Sequence, residues 1–228
     1  MEKSLNRFML FIGLFIMDIL YSAIVIAVLK YAGFDILALN NNLKYIALII
    51  IDLSFMFILY LIYRKELNNE FSKYIKNFGK NFSFGLKLWL LGLILMIGSN
   101  IIIQIIYPSV ATNEEAVQES LKMFPIYTAF ASCIFAPFVE EIIFRKCLGK
   151  VFKNSFLFIV ISGLLFGLAH TITEIGTSQM LYIIPYGLFG SIFAYMYLKT
   201  KNIFVSMTFH FIHNTVLVIL SLLSVGVI

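Results

Sequence analysis

The sequence predicts an all-α, polytopic transmembrane helical bundle of about seven to eight spans. Three observations predict it. Of the 228 residues 61% are hydrophobic and only 13% charged. The apolar residues form unbroken runs rather than amphipathic stripes, and the charges collect in the short segments between runs. A helix that crosses a hydrocarbon layer needs about 20 consecutive apolar residues, whereas a soluble helix alternates an apolar stripe with a polar face.

Seven runs meet that criterion, at roughly 8–29, 45–63, 88–107, 126–148, 155–172, 179–198 and 203–228. The first is too long for a signal-peptide core and lacks a small-residue cleavage pattern, so it reads as a retained span. After the second comes a segment from Arg64 to Lys87 in which charges and Asn alternate with Phe71, Tyr74, Ile75, Phe78 and Phe82. It reads equally as an amphipathic helix on the membrane surface or as a solvated loop. The third run leads into a loop from Pro108 to Lys122 carrying Glu114, Glu115 and Glu119. In the fourth, Pro137 removes an amide donor, which is expected to kink the helix and free a carbonyl near Cys133; an ordinary packing proline is the alternative. The fifth holds Gly163 and Gly167, a small-xxx-small stripe that lets another backbone approach closely. Pro185 interrupts the sixth, and the seventh reads as one span or two short pieces. With short connections, no Pro- or Gly/Ser-rich linker and no repeat, 1–228 reads as a single integral membrane domain with a motif-bearing core at about 124–220.

The net charge of +5 does not imply nucleic acid, because the charges have no soluble face on which to cluster; they report topology. With the N-terminus in the cytoplasm, Lys3, Arg7, Arg64, Lys65, Lys73, Lys76, Lys80, Lys87, Arg145, Lys146, Lys150, Lys153, Lys199 and Lys201 fall inside. Only Lys30, Lys44 and Lys122 fall outside. The expected orientation is therefore N-in, C-out. Cys133 and Cys147 lie too far apart on one helix to bridge and read as packing residues.

Ionisable groups are costly in lipid, so those inside spans are candidates for function. Asp18 and Asp52 stand alone in the first two spans and read as structural. The fourth carries Glu140, Glu141 and Arg145, the fifth His170, and the last His210, His213 and Asn214. Glu141 and Arg145, spaced i, i+4, share a helix face and are expected to pair, which leaves Glu140 without a local cation and makes it the best general-base candidate. Phe166 and His170 are i, i+4 neighbours, as are His210 and Asn214. Counted at 1.5 Å per residue from the lysines of the inner boundary, Glu140 lies about 15 Å deep, His210 about 13 Å, Asn214 about 19 Å and His170 about 25 Å. His170 is out of line with the others.

Three strings, Glu-Glu-x-x-x-Arg at 140–145, Phe-x-x-x-His at 166–170 and His-x-x-x-Asn at 210–214, resemble in order and placement the CAAX-protease and bacteriocin-processing (CPBP, or Abi) family of intramembrane proteases. Its eukaryotic relatives are the Ras-converting CAAX endopeptidases. The resemblance covers about residues 124–220 and implies a glutamic-type endopeptidase in which Glu140 and His170 activate water. It implies that His210 and Asn214 stabilise the oxyanion, that Glu141, Arg145 and Phe166 support the site, and that no cofactor is needed. The implied partners are the lipid bilayer and a membrane-associated peptide or protein substrate, with peptide or bacteriocin processing or self-immunity as the setting. Three Arg beside fourteen Lys, with abundant Ile, Phe and Asn, point to an AT-rich prokaryotic genome and a prokaryotic plasma membrane, where a prenylated substrate is not expected.

Other classes fit parts of the pattern. Glu140, His170 and His210 offer a ligand set for a catalytic zinc, although no His-Glu-x-x-His string is present. A transporter or a non-enzymatic scaffold also accommodates acids and histidines in a bundle. The reading carried forward is a peptidase whose cavity opens toward the cytoplasmic half of the bilayer.

Overall fold

The computed structural model describes residues 2–224 and 226, and among them every regular element is helical. Helix α1 is Glu2–Tyr31, α2 Asn41–Lys76, α3 Phe78–Ile106 and α4 Thr112–Met123. Helix α5 is Pro125–Lys150, α6 Ser155–Thr171, α7 Ile183–Thr200 and α8 Ile203–Ser224. Among the described residues seven helical stretches are long and apolar enough to cross a membrane, and they coincide with the seven expected runs. The last is one continuous helix through Ser224; Val225, Val227 and Ile228, where the terminal run was expected to end, lie outside the described residues.

Two stretches differ from expectation. The segment from Arg64 to Lys87 is not a loop: it is helical and continuous with the spans on either side, because α2 runs on to Lys76, turns at Asn77 and α3 starts at Phe78. A set of ion pairs ties it to the rest of the bundle. Lys146, fully buried, meets Glu66 at 3.2 Å and Glu70, while Lys150 meets Glu66 at 2.7 Å. Glu70 also accepts from the first amide of α8, Ile203, at 2.8 Å, and its carbonyl accepts from Asn202 at 2.7 Å. Arg145 and Lys146 are therefore interior groups, not loop charges, and drop out of the topology count. Secondly, the expected loop before Lys122 contains the amphipathic helix α4, with Leu121 fully buried.

Asp52, 3% exposed, accepts from Ser22 at 3.2 Å, and Tyr21 and Ser54 bond at 2.7 Å, so these four polar side chains join α1 to α2. The glycine stripe acts as expected. A Cβ on Gly167 would lie 2.6 Å from the Ile183 carbonyl oxygen and 3.0 Å from the Gly187 nitrogen, and one on Gly163 would overlap Ser191. These are backbone atoms of α7 at Gly167, so they cannot swing aside. Gly167→Ala is expected to cost about 1–3 kcal/mol through overpacking, read as a lowered midpoint of thermal unfolding in detergent.

Candidate active site

Helix α5 is not uniformly α. It winds as a π-helix over Ala131–Phe135, returns to α over Ala136–Glu141, and is π again over Ile142–Cys147. In the first π turn the amide of Ala136 donates to the Ala131 carbonyl. The next bond in that register would need an N–H from Pro137, which has none. The carbonyl left open is that of Ser132, and it accepts from Asn214 Nδ2 at 2.8 Å. The expected freed carbonyl near Cys133 is thus one residue earlier than α register gives, and α8 supplies its donor. Both cysteines are free thiols.

The expected Glu141–Arg145 pair is present, with Nε 3.4 Å from Oε2 and both side chains fully buried. Arg145 also donates to the Gly190 carbonyl of α7 at 3.2 Å, and its guanidinium lies 4.7 Å from the Phe166 ring centroid and 5.6 Å from that of Phe193. A planar, delocalised cation suits such stacking between aromatic faces. Glu141 is shared: its Oε1 stands 3.1 Å from His210 Nδ1. The other nitrogen of that ring, Nε2, is 3.8 Å from Glu140 Oε2, so His210 sits between the two carboxylates. An ionised Glu141 can only accept, which puts a hydrogen on His210 Nδ1.

His170 is fixed by a different device. Its Nδ1 lies 2.9 Å from the Phe166 carbonyl oxygen. A carbonyl accepts, so Nδ1 carries the hydrogen and a neutral ring keeps its lone pair on Nε2. The ring is clasped between Phe166 at 4.6 Å and Tyr186 at 4.7 Å between centroids. Helices α6 and α7 bring these rings together because the glycine stripe closes the gap between their backbones.

Glu140, Phe166, His170, His210, His213 and Asn214 all line one cavity of about 330 Å³. Glu140 Oε2 is buried there without a hydrogen-bond partner. Among the described residues no Glu140–His170 contact falls within the 4.0 Å of an ion pair, whereas Glu140–His210 does. Glu141 and Arg145 lie behind the wall and do not line the cavity. Also among the described residues, no three His, Cys, Asp or Glu side chains come together in an arrangement able to hold a metal ion.

The cavity runs along the bundle. Its walls come from Met96 and Asn100 late in α3, from Asn113, Glu114 and Val117 of α4, from Tyr182 and Tyr186 around the start of α7, and from Leu217 and Ser221 late in α8. It extends toward the α4 end of the bundle, away from the lysine-rich end. His170, in the last turn of α6, lines it on that side. Glu114, Asn113, Tyr186 and the cavity-lining role of His213, stacked at 4.0 Å on Phe189, were not singled out from sequence. The pattern of α4 was readable, with Glu114 and Glu115 in its first turn, Lys122 in its last, and Val117 and Leu121 four apart. Burial pushes the Glu114 carboxyl above its ordinary range.

The model of the type II CAAX prenyl endopeptidase Rce1-like family matches residues 122–216. The chain is 32% identical over 113 residues to "Putative membrane peptidase YdiL" of Bacillus subtilis, covering 48% of this chain and 43% of that protein. It is 29% identical over 119 residues to "UPF0177 protein YvdC" of Lactococcus lactis, covering 51% of this chain and 44% of that protein. The aligned stretch is thus less than half the length of either relative. No solved structure matches the chain. The matched segment contains all three strings that line or brace the cavity, and over residues 122–216 this integral membrane protein is similar to the Rce1-like CAAX prenyl endopeptidase family.

Proposed function

We propose that the protein is an intramembrane endopeptidase of the glutamic type that hydrolyses membrane-associated peptides or proteins. The observation that carries the reading is the shared cavity, where the unpartnered carboxylate oxygen of Glu140 and His170 face the same space. A water between them gives up a proton to one of these bases while its oxygen bonds to the peptide carbonyl carbon. The C–N bond then breaks, and the proton passes to the leaving amine. Asn214 spends one amide hydrogen on Ser132 and keeps a second for the developing oxyanion; His210 Nε2 faces the same space and donates there when the ring is doubly protonated. Peptide processing or self-immunity in a prokaryotic plasma membrane is the setting we propose.

The test is cleavage of an N-acylated peptide library by detergent-purified protein, beside Glu140→Gln and His170→Ala and with and without a chelator. Cleavage that survives the chelator and disappears in both variants is the expected result. Loss of wild-type cleavage in chelator, restored by added zinc, would replace the metal-free mechanism with a zinc mechanism.

A further inference from the structure

We infer that the cavity takes its substrate from the extracytoplasmic side of the membrane, so that the peptides cut are exported chains or the outer ends of membrane-anchored ones. The inference rests on the peptidase reading only for the word substrate; the sidedness of the cavity stands apart from it.

Two independent features carry it. The first is which end of the bundle is open. From Glu140 the cavity continues past His170 and Tyr186 to Asn113 and Glu114 on α4. In the opposite direction the interior is filled. Ile143, Phe144, Cys147 and Leu148 are at most 1% exposed, and beyond them Lys146 closes on Glu66 and Glu70. A peptide coming straight through the bundle from the lysine-rich end would meet that packing and those ion pairs before Glu140.

The second is which end faces the cytoplasm. With the interior Arg145 and Lys146 set aside, twelve Lys and Arg remain at the filled end against Lys30, Lys44 and Lys122 at the open end. An excess of Lys and Arg in short loops marks the cytoplasmic side. The open end instead bears α4, with Glu114, Glu115 and Glu119. The cavity mouth and the positive charge thus sit on opposite faces of the membrane.

The experiment uses the full chain in intact cells and in sided vesicles. Single cysteines are placed at the exposed Glu115 of α4 or the exposed Lys153 between α5 and α6, with Cys133 and Cys147 replaced by Ala. A membrane-impermeant maleimide is expected to label Glu115→Cys on intact cells, and Lys153→Cys only after permeabilisation. The reverse pattern overturns the inference. In parallel, an impermeant N-acylated peptide library is offered to right-side-out and inside-out vesicles of the wild type. Cleavage confined to right-side-out vesicles is expected; cleavage confined to inside-out vesicles overturns the inference while leaving the peptidase reading intact. Absence of cleavage in detergent as well overturns the peptidase reading, and the labelling pattern still decides which side the cavity faces.

Discussion

Glu140→Gln is expected to lower peptide cleavage by about 10²–10⁴-fold, the range that a positioned general base supplies, with the protein still folded. Gln keeps the shape of the side chain and removes its negative charge and basicity. The substitution should be structurally mild, because Glu140 Oε2 has no hydrogen-bond partner to lose and its nearest cation candidate, His210 Nε2, is 3.8 Å away. His170→Ala should give a loss of similar size, and the two combined should cost little more than either alone if both act on one water. Rates on the acylated peptides, normalised to monodisperse protein, check this. Rates in Glu140→Gln near those of the wild type would remove Glu140 from the mechanism.

Arg145→Ala is expected to cost about 3–5 kcal/mol of stability, because it leaves Glu141 buried with its cation gone. The guanidinium joins three helices at once: it pairs with Glu141 on α5, donates to Gly190 of α7, and lies against Phe166 of α6. Arg145→Lys should recover only part of the loss, since an ammonium has neither the fork nor the flat face those contacts use. Arg145→Met combined with Glu141→Gln should restore more stability than Arg145→Met alone, because no unpaired charge is then buried. That double variant should nonetheless stay impaired in cleavage, since His210 loses the carboxylate that fixes its ring. Thermal unfolding in detergent and peptide turnover, measured on the same samples, separate the two effects.

What the sequence makes legible is governed by local spacing. The spans, the Glu141–Arg145 pair and the Gly163–Gly167 approach all follow from helical periodicity, and each is in the structure as expected. What escapes is set by register and by distant partners. The α geometry assumed along α5 fails where π turns intervene, so the orphan carbonyl is found at Ser132. The burial of Lys146 depends on Glu66 and Glu70, some 80 positions earlier in a segment that spacing alone left ambiguous. The position of the cavity along the bundle depends on where α3, α4, α7 and α8 end together.

The ion pairs around Lys146 also make the two ends of the bundle unlike in how they are held together. Glu66, Glu70, Lys146 and Lys150 fasten α2, α5 and the start of α8, and Arg7 of α1 adds a bond to the Lys150 carbonyl. At the other end the cross-links are neutral, such as Tyr45 to the Met123 carbonyl and Gln179 to that of Val110. Charge-assisted bonds are about twice as strong as neutral ones, so the helices are fastened most firmly where the lysines are. The end beside α4, where the cavity reaches Asn113 and Glu114, is therefore the less firmly cross-linked end of the bundle.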